Sequence, residues 1–422
     1  MAALLPGEAS AFLDFALDRT AVMWAAVLAI GTGLLFGLFP AFHSTRPDLV
    51  TVLKDQAGQK GASKAASRFR AGLATAQIAL SMTLLVAAGL FTRSLLNVSR
   101  VDLGIRTDNV ITFGLSPQLN GYTPERTAAL FEMLEDELGA LPAVTGVTSS
   151  TVGVISGSNW GTGVSVQGFE AGPDTDTHSN FTLVGPGYFR TLGVPLLAGR
   201  EFTRADAVGA PKVAIVNEAF AKKFNLGRDV VGKRMMNDSR PNATLDMEIV
   251  GLAQNAKYSE VKQEVPPVFF LPYRQDDRLG FINFYVRTEG DPDSVLASIN
   301  SVVARQDANL PVENLKTLQQ QVQENVFLDR MIGTLSSAFA ILATLLAAVG
   351  LYGVLAYTVA QRTREIGLRM ALGADGGRVR RLVLKQMMWM TIVGGVIGIA
   401  AAVGLGQLAQ SLLYELQGHD PA

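Results

Sequence analysis

The chain has 422 residues, a formal net charge of −1 and no cysteine. Charged residues make up 17% and hydrophobic residues 48%, and the mean hydropathy of +0.26 is high for a soluble chain. The absence of cysteine excludes a disulfide framework, a thiolate metal site and a cysteine nucleophile. Because the basic residues are not gathered along one predicted groove, the charge distribution gives no support for nucleic-acid binding.

Four segments without Asp, Glu, Lys or Arg are each long enough to cross roughly 30 Å of hydrocarbon. They predict transmembrane helices at residues 21–42, 71–92, 331–361 and 386–414, the second continuing to residue 95. A fifth uncharged stretch, residues 138–169, is rich in Gly, Ser and Thr and predicts strands and turns. The acidic residues Glu8, Asp14 and Asp18 indicate that the first span is not a cleaved signal peptide.

The basic residues predict the orientation of these spans. Residues 43–70 contain six Lys or Arg against two Asp, and residues 362–385 contain seven against one Glu and one Asp. Short loops rich in Lys and Arg stay on the cytoplasmic side of a membrane. We therefore expect the N-terminal segment 1–20, a large domain at 98–327 and the tail 415–422 to lie outside the cytoplasm.

The large domain has the pattern of a mixed α+β fold with two β-α-β units. The first unit is predicted as strand 109–115, helix 124–139 and strand 144–150, and the second as strand 282–287, helix 292–305 and strand 312–315. Strands are also expected at 213–216 and 247–252. The sequence thus predicts two lobes, one split between 98–184 and 273–327 and the other inserted at 185–272. A helix-rich stretch, 317–329, is expected to lead back to the membrane.

No sequence pattern indicates catalysis. Residues 227–234 match the spacing of a phosphate-binding loop until Arg234, where Ser or Thr is needed to hold Mg²⁺, so a surface turn is predicted. The histidines His43, His178 and His419 have no metal-ligand spacing, and no Gly-x-Ser-x-Gly pattern is present. We expect no catalytic residue, no cofactor and no metal, and therefore a protein that is not itself an enzyme.

Small residues recur in the fourth span and favour close approach of helices. They are Gly394, Gly395, Gly398, Gly404 and Gly406. Packing against another protomer and packing within this chain are equally compatible with the pattern.

The loop between the third and fourth spans has the most informative sequence. Residues 361–374 keep Ile366, Met370 and Leu372 apolar among basic residues, and the segment ends at Gly373 with helix-terminating chemistry. Asp375 is predicted to cap the following helix. A short amphipathic helix at this surface either anchors to anionic headgroups or docks a protein.

The same segment closely resembles the signature of FtsX-like and MacB-like ABC transporter permeases, and residues 186–189, 216–219 and 349–354 resemble that family as well. More narrowly, the chain is similar to duplicated permeases described from acidobacteria, in which two such halves are fused. The resemblance implies that the loop docks on a cytoplasmic ABC ATPase. It places coupling on Arg364, Glu365, Ile366, Gly367, Arg369, Leu372 and Gly373.

The resemblance further implies a bacterial inner-membrane protein embedded in the lipid bilayer, with its large domain in the periplasm and a second permease half, fused or as a dimer. The function it implies is coupling of ATP hydrolysis in a separate subunit to movement of the outside domain, for export. The alternative is a membrane-anchored sensor or scaffold that regulates a cell-envelope enzyme. A third hypothesis is an enzyme with its active site in the outside domain.

We also expect the chain to be a fragment that lacks a closing helix. Residues 12–42 resemble the final span of a preceding permease half, and residues 411–421 resemble the connector before a closing span. A four-helix half with an outside domain needs such a helix to bring its end back inside. The alternative is a shorter protein in which the first span substitutes for that helix.

Overall fold

The computed structural model describes residues 18–44, 62–172, 174–227, 229–238, 244–361, 363–372 and 376–408. It separates into two compact units. The membrane unit combines Met1–Arg93 with Gly333–Ala422, and the outside unit is Ser94–Ile332.

The described residues form ten α-helices. They are α1 (Arg19–Ser44), α2 (Ala62–Ser99), α3 (Pro124–Gly139), α4 (Tyr188–Leu192), α5 (Glu218–Lys223), α6 (Asp293–Gln306), α7 (Leu318–Asn325), α8 (Phe327–Gln361), α9 (Thr363–Ala371) and α10 (Gly376–Leu408).

Three described helices contain a stretch that is long and apolar enough to cross a bilayer. These stretches are Arg68–Ser99, Phe327–Ala360 and Leu384–Gln407. They correspond to the second, third and fourth predicted spans. In α1 the described apolar stretch, Val22–Leu34, is shorter, and its side chains are exposed.

Helix α2 packs against both α8 and α10 through small and hydroxyl-bearing residues. The Ser81 hydroxyl donates to the carbonyl oxygen of Ala343 on α8 at 2.8 Å. The Thr83 hydroxyl donates to the carbonyl oxygen of Gly398 on α10 at 3.0 Å. Each hydroxyl also donates to a backbone carbonyl oxygen of its own helix. Hydrogen bonds between helices hold membrane helices together because no water competes for them.

Close approach of α2 and α10 depends on two glycines. A Cβ atom on Gly394 would lie 2.8 Å from the carbonyl oxygen of Thr75, and one on Gly398 would lie 2.5 Å from that of Ala79. Gly394 and Gly398 therefore pack against α2 of the same chain. For these two residues, this decides between packing within the chain and packing against another protomer. A Cβ atom on Gly395 or Gly404 would meet nothing within 4 Å.

The outside unit is built on a single mixed sheet. The described strands are β1 (Val110–Leu115), β2 (Val144–Ser150), β3 (Gly161–Gly163), β4 (Ser165–Val166), β5 (His178–Val184), β6 (Leu196–Gly199), β7 (Lys212–Asn217), β8 (Arg234–Met236), β9 (Met247–Ala253), β10 (Val268–Pro272), β11 (Ile282–Thr288) and β12 (Glu313–Thr317). Their order is β12-β1-β11-β2-β5-β10-β7-β9-β8-β4, with β3 beside β5 and β6 beside β9.

One half of the sheet is the predicted pair of β-α-β units. Strand β11 is antiparallel to both β1 and β2, and β12 is antiparallel to β1. Helix α3 joins β1 to β2, and α6 joins β11 to β12, which is a split β-α-β arrangement. The predicted strands and helices of both units are confirmed, with boundaries within two residues.

Helices α3 and α6 cover this half because their apolar residues recur at helical spacing. Helix α3 begins at the capping residue Thr123, whose hydroxyl accepts from the backbone N–H of Arg126. The shared core contains residues of both helices and of the strands beneath them, namely Phe113, Leu130, Phe131, Leu134, Leu138, Phe284, Val295, Ile299 and Val302.

The other half of the sheet has its own core around Ala214, Phe220, Phe224, Ile249 and Phe269. Strands β3 and β4 pair within this half, although the sequence analysis assigned their residues to the split lobe. Val164 and Val166 belong to the second core as well. The difference arises because strand pairing depends on partners distant in the chain, which local patterns do not reveal.

Candidate functional site

The predicted coupling segment forms a short helix of its own between two long ones. Helix α8 ends at Gln361, α9 spans Thr363–Ala371 and α10 begins at Gly376. The Thr363 hydroxyl donates back to the carbonyl oxygens of Val359 and Ala360, at 3.1 and 3.0 Å. These bonds connect the start of α9 to the last turn of α8.

The structure brings most of the predicted coupling residues onto this helix. On α9 lie Arg364, Glu365, Ile366, Gly367 and Arg369. Leu372 follows its last turn, whereas Gly373 lies outside the described residues.

Two leucines give α9 an exposed apolar face. Leu368 is 66% exposed and Leu372 is 81% exposed. Residues four apart lie on the same side of a helix, so the two side chains form one patch. Leu368 was not among the predicted site residues. The apolar i, i+4 spacing with Leu372 was the signal that could have identified it.

A cation–π contact joins α2 to α8 near the start of α9. The guanidinium carbon of Arg70 lies 3.9 Å from the ring centroid of Tyr357. Tyr357 precedes the end of α8 by about one helical turn. The sequence identifies Arg70 only as a basic loop residue, because its aromatic partner is distant in the chain.

The segment that resembles a phosphate-binding loop lies in the reverse structural context. Residues 227–234 follow the short helix α5 and lead into strand β8, whereas a phosphate-binding loop joins a strand to a helix. The ammonium group of Lys233 donates to the carbonyl oxygen of Leu226 at 3.1 Å. Gly227 and Gly232 take positive φ angles of 67° and 88°, as in surface turns.

An ion cluster surrounds the buried pair of Arg274 and Glu135 beside α3. The guanidinium of Arg274 contacts one carboxylate oxygen each of Glu132 and Glu135, both at 2.8 Å. Burial raises the pKa of Glu135, and the charge of Arg274 opposes that shift. Arg204 forms an ion pair with Asp136, which lies on α3 together with Glu132 and Glu135. The cluster connects α3 to the turn Tyr273–Gln275, which is a structural role.

The outside unit also has an open groove of about 710 Å³ beside α5, β6 and β9. Its acidic residue, Glu218, accepts from the backbone N–H of Asn255 at 2.9 Å and so helps to hold the backbone. Among the described residues, no group of three or more His, Asp or Glu is placed to hold a metal ion.

Two family models match the chain. The MacB-like periplasmic core domain matches residues 71–302, which is more than half of the chain. The FtsX-like permease C-terminal model matches residues 337–420, including α9. The chain belongs to the MacB-like permease family. The resemblance to FtsX-like and MacB-like permeases is thereby confirmed, and most of the outside unit lies within the match to the periplasmic core domain.

Curated MacB-like relatives share about a quarter of their residues with the chain over the aligned region. The probable export ATP-binding/permease protein MacB of Pseudomonas entomophila is 25% identical over 228 residues, covering 52% of this chain and 33% of the relative. The pyoverdine export ATP-binding/permease protein PvdT of Pseudomonas syringae is 26% identical over 227 residues, covering 50% and 33%. The chain thus spans about a third of the length of these relatives.

Solved structures of MacB-like domains also align with the chain. The periplasmic region of MacB from Actinobacillus actinomycetemcomitans is 19% identical, with a TM-score of 0.35, covering 55% of this chain and 98% of that one. The extracellular domain of the ABC-type transporter YknZ from Gram-positive bacteria is 17% identical, with a TM-score of 0.31, covering 47% and 92%.

Proposed function

We propose that this chain is the permease component of an ABC-type exporter. A separate cytoplasmic ATPase docks on α9, and its nucleotide-driven closure moves α2 and α8, which carry the movement to the periplasmic domain. The chain supplies a change of shape, and the ATPase supplies the chemistry.

The observation that carries the proposal is the exposed apolar face of α9. Exposed leucines on a short helix offer the kind of apolar contact that protein interfaces bury, and the sequence of the same helix includes Arg364, Glu365 and Arg369. Helix α8 leads directly into α9, and Arg70 on α2 contacts Tyr357 on α8. Movement of α9 therefore reaches both helices that border the periplasmic domain.

The proposal also includes the position of the chain in the membrane, its second permease half and the division of its periplasmic domain. The protein lies in the bacterial inner membrane with four spans, of which α1 supplies the first, and a second permease half completes the transporter. The periplasmic domain has two lobes, a division supported by the single residue pair, Ser150 with Val184, that joins β2 to β5. Export as the direction of transport is supported by the names of the relatives.

Removing the apolar face of α9 should uncouple the ATPase without unfolding the permease. In Leu368→Ser and Leu372→Ser, the apparent affinity for the ATPase is expected to fall about ten-fold each, because burying a leucine contributes about 1.5–3 kcal/mol. The measurement is binding of the ATPase to the full chain in nanodiscs, with ATP hydrolysis by the complex followed in parallel.

Thr363→Ala is the matched control, since Thr363 is on the same helix and its hydroxyl bonds only the backbone of α8. It should bind the ATPase like the unchanged chain. Unaltered binding of both leucine variants would show that α9 is a headgroup anchor and would contradict the proposal.

The proposed orientation predicts which positions an impermeant thiol reagent can reach. Cysteines introduced at Ser63 and Asp375 should be labelled only after lysis, whereas one at Asp176 should be labelled in intact spheroplasts. The native chain contains no cysteine, so the unsubstituted protein gives the background. Labelling of position 375 in intact spheroplasts would show the opposite orientation and would contradict the proposal.

A further inference from the structure

One loop of the outside unit contacts both of its connections to the membrane unit. Residues 254–263, here called the attachment loop, run between β9 and β10. The chain enters the outside unit at the end of α2, through residues 100–106. It leaves through α7 and the first turns of α8.

The entering segment binds the first part of the attachment loop through its backbone. The backbone N–H of Lys257 donates to the carbonyl oxygen of Leu103 at 2.8 Å. Next to this bond, Gly104 has a φ of 67°, and a Cβ atom there would lie 2.5 Å from the carbonyl oxygen of Asn255. Glycine is therefore needed for the close approach of these two backbones.

The leaving segment binds the last part of the same loop. The side-chain oxygen of Asn325, the final residue of α7, accepts from the backbone N–H of Val261 at 3.1 Å. The ammonium group of Lys262 pairs with the carboxylate of Asp329, which lies in the first turn of α8. Both ionic side chains are partly buried, at 29% and 19% exposed, so solvent screens this pair less than a surface pair.

The middle of the attachment loop is anchored in the sheet. The Tyr258 hydroxyl donates to the carbonyl oxygen of Phe181 on β5 at 2.6 Å and accepts from the backbone N–H of Trp160. The carbonyl oxygen of Tyr258 accepts from the N–H of Ile155, a β-branched residue held at a φ of 52°. Strained backbone of this kind persists only where surrounding contacts fix it. Movement of the loop is thus passed on to the sheet.

We infer that the attachment loop is where movement of α2 and α8 enters the periplasmic domain, and that the Lys262–Asp329 ion pair is the positioning contact for α8. This inference rests on the proposed function. Because the two connections contact one loop of about ten residues, they act on the domain together. If α2 and α8 were connected to separate loops, each helix could move one half of the sheet independently of the other.

The test uses charge reversal in the full chain, reconstituted in nanodiscs with the ABC ATPase that co-purifies with it. Lys262→Asp and Asp329→Lys each place like charges together, and the double variant restores an opposite pair. Lys212→Asp is the matched control, because Lys212 forms an exposed ion pair with Asp246 elsewhere in the same domain. Hydrogen exchange of the domain is measured with and without ATP.

Without ATP, each single variant should exchange the amide of Val261 about five-fold faster, since loss of the pair favours local opening. With ATP, the single variants should lose the nucleotide-dependent change in exchange at β5 and β10, while their Tm stays near that of the Lys212→Asp control. The double variant should regain both properties.

The inference is overturned if the single variants expose the Val261 amide and yet keep the ATP-dependent change. If the unchanged chain shows no ATP-dependent change in its domain, the proposed function itself fails, and the two failures are therefore distinguishable.

Discussion

The Gly398→Val variant is expected to lose the packing of α10 against α2 and to unfold roughly 5–10 °C below the unchanged chain. A Cβ atom on Gly398 would lie 2.5 Å from the carbonyl oxygen of Ala79 and 2.7 Å from the Cβ of Met82. A backbone oxygen cannot move aside as a flexible side chain can, so the helices must separate. Separation also breaks the bond from the Thr83 hydroxyl to the carbonyl of Gly398.

The neighbouring glycine supplies the control for this variant. A Cβ atom on Gly395 would meet no atom within 4 Å, so Gly395→Val adds the same side chain without the collision. The measurement is the midpoint of thermal unfolding in detergent, followed by the monodisperse fraction in size-exclusion chromatography. Equal midpoints for the two variants would contradict the close helix approach in the structure.

Replacing Arg274 by methionine should destabilise the outside unit by about 3–5 kcal/mol, because Glu135 would remain as an unpaired buried charge. The side chains of Arg274 and Glu135 are only 7% and 6% exposed. Unfolding by denaturant can be followed through the fluorescence of Trp160, in a background where Trp24 and Trp389 are changed to phenylalanine.

The loss of stability in Arg274→Met should depend on pH in a defined direction. Burial already raises the pKa of Glu135, and without Arg274 that pKa should rise further. In the unfolded chain this carboxyl has a pKa of about 4.3. Because folding raises that pKa, the carboxyl lowers stability only at pH values above about 4.3, where it tends to ionise. The deficit should therefore be largest near neutral pH and should shrink as the pH falls toward that value.

A double variant separates the missing charge pair from the missing packing. Arg274→Met combined with Glu135→Met replaces the pair by apolar side chains of similar volume, and such replacements are often nearly neutral. It should recover most of the stability and lose the pH dependence. A deficit in Arg274→Met that is equally large at pH 5 and pH 7 would contradict the buried-charge explanation.

The sequence predicted local structure well because local patterns determine it. The regular spacing of Leu130, Leu134 and Leu138 identifies α3, and the length of uncharged segments identifies the membrane helices. Helix α9 was predicted from its charged and apolar pattern, but Leu368 was missed although it lies four residues before the apolar Leu372.

Contacts between distant residues could not be predicted in this way. The pairing of β4 with β8, the cation–π contact of Arg70 with Tyr357 and the attachment loop all join segments far apart in the chain. A single sequence contains no signal for such partners, because a β-strand or a lysine accepts many neighbours. The predicted lobe boundary at residue 185 differs from the observed pairing for that reason.

The way the second half of the sheet joins the first bears on how such permeases diversify. The chain departs from β2 at Ser150 and returns to β11 at Asn283, and these two residues are direct cross-strand partners. For a segment whose ends lie side by side in its host, each doubling of length costs only about 0.6 kcal/mol of additional closure entropy. Evolution can therefore lengthen, shorten or exchange those parts of residues 151–281 that lie outside the attachment loop and the ion cluster of Arg274. Recombination at this one hairpin would give related permeases new periplasmic surfaces on an unchanged membrane bundle.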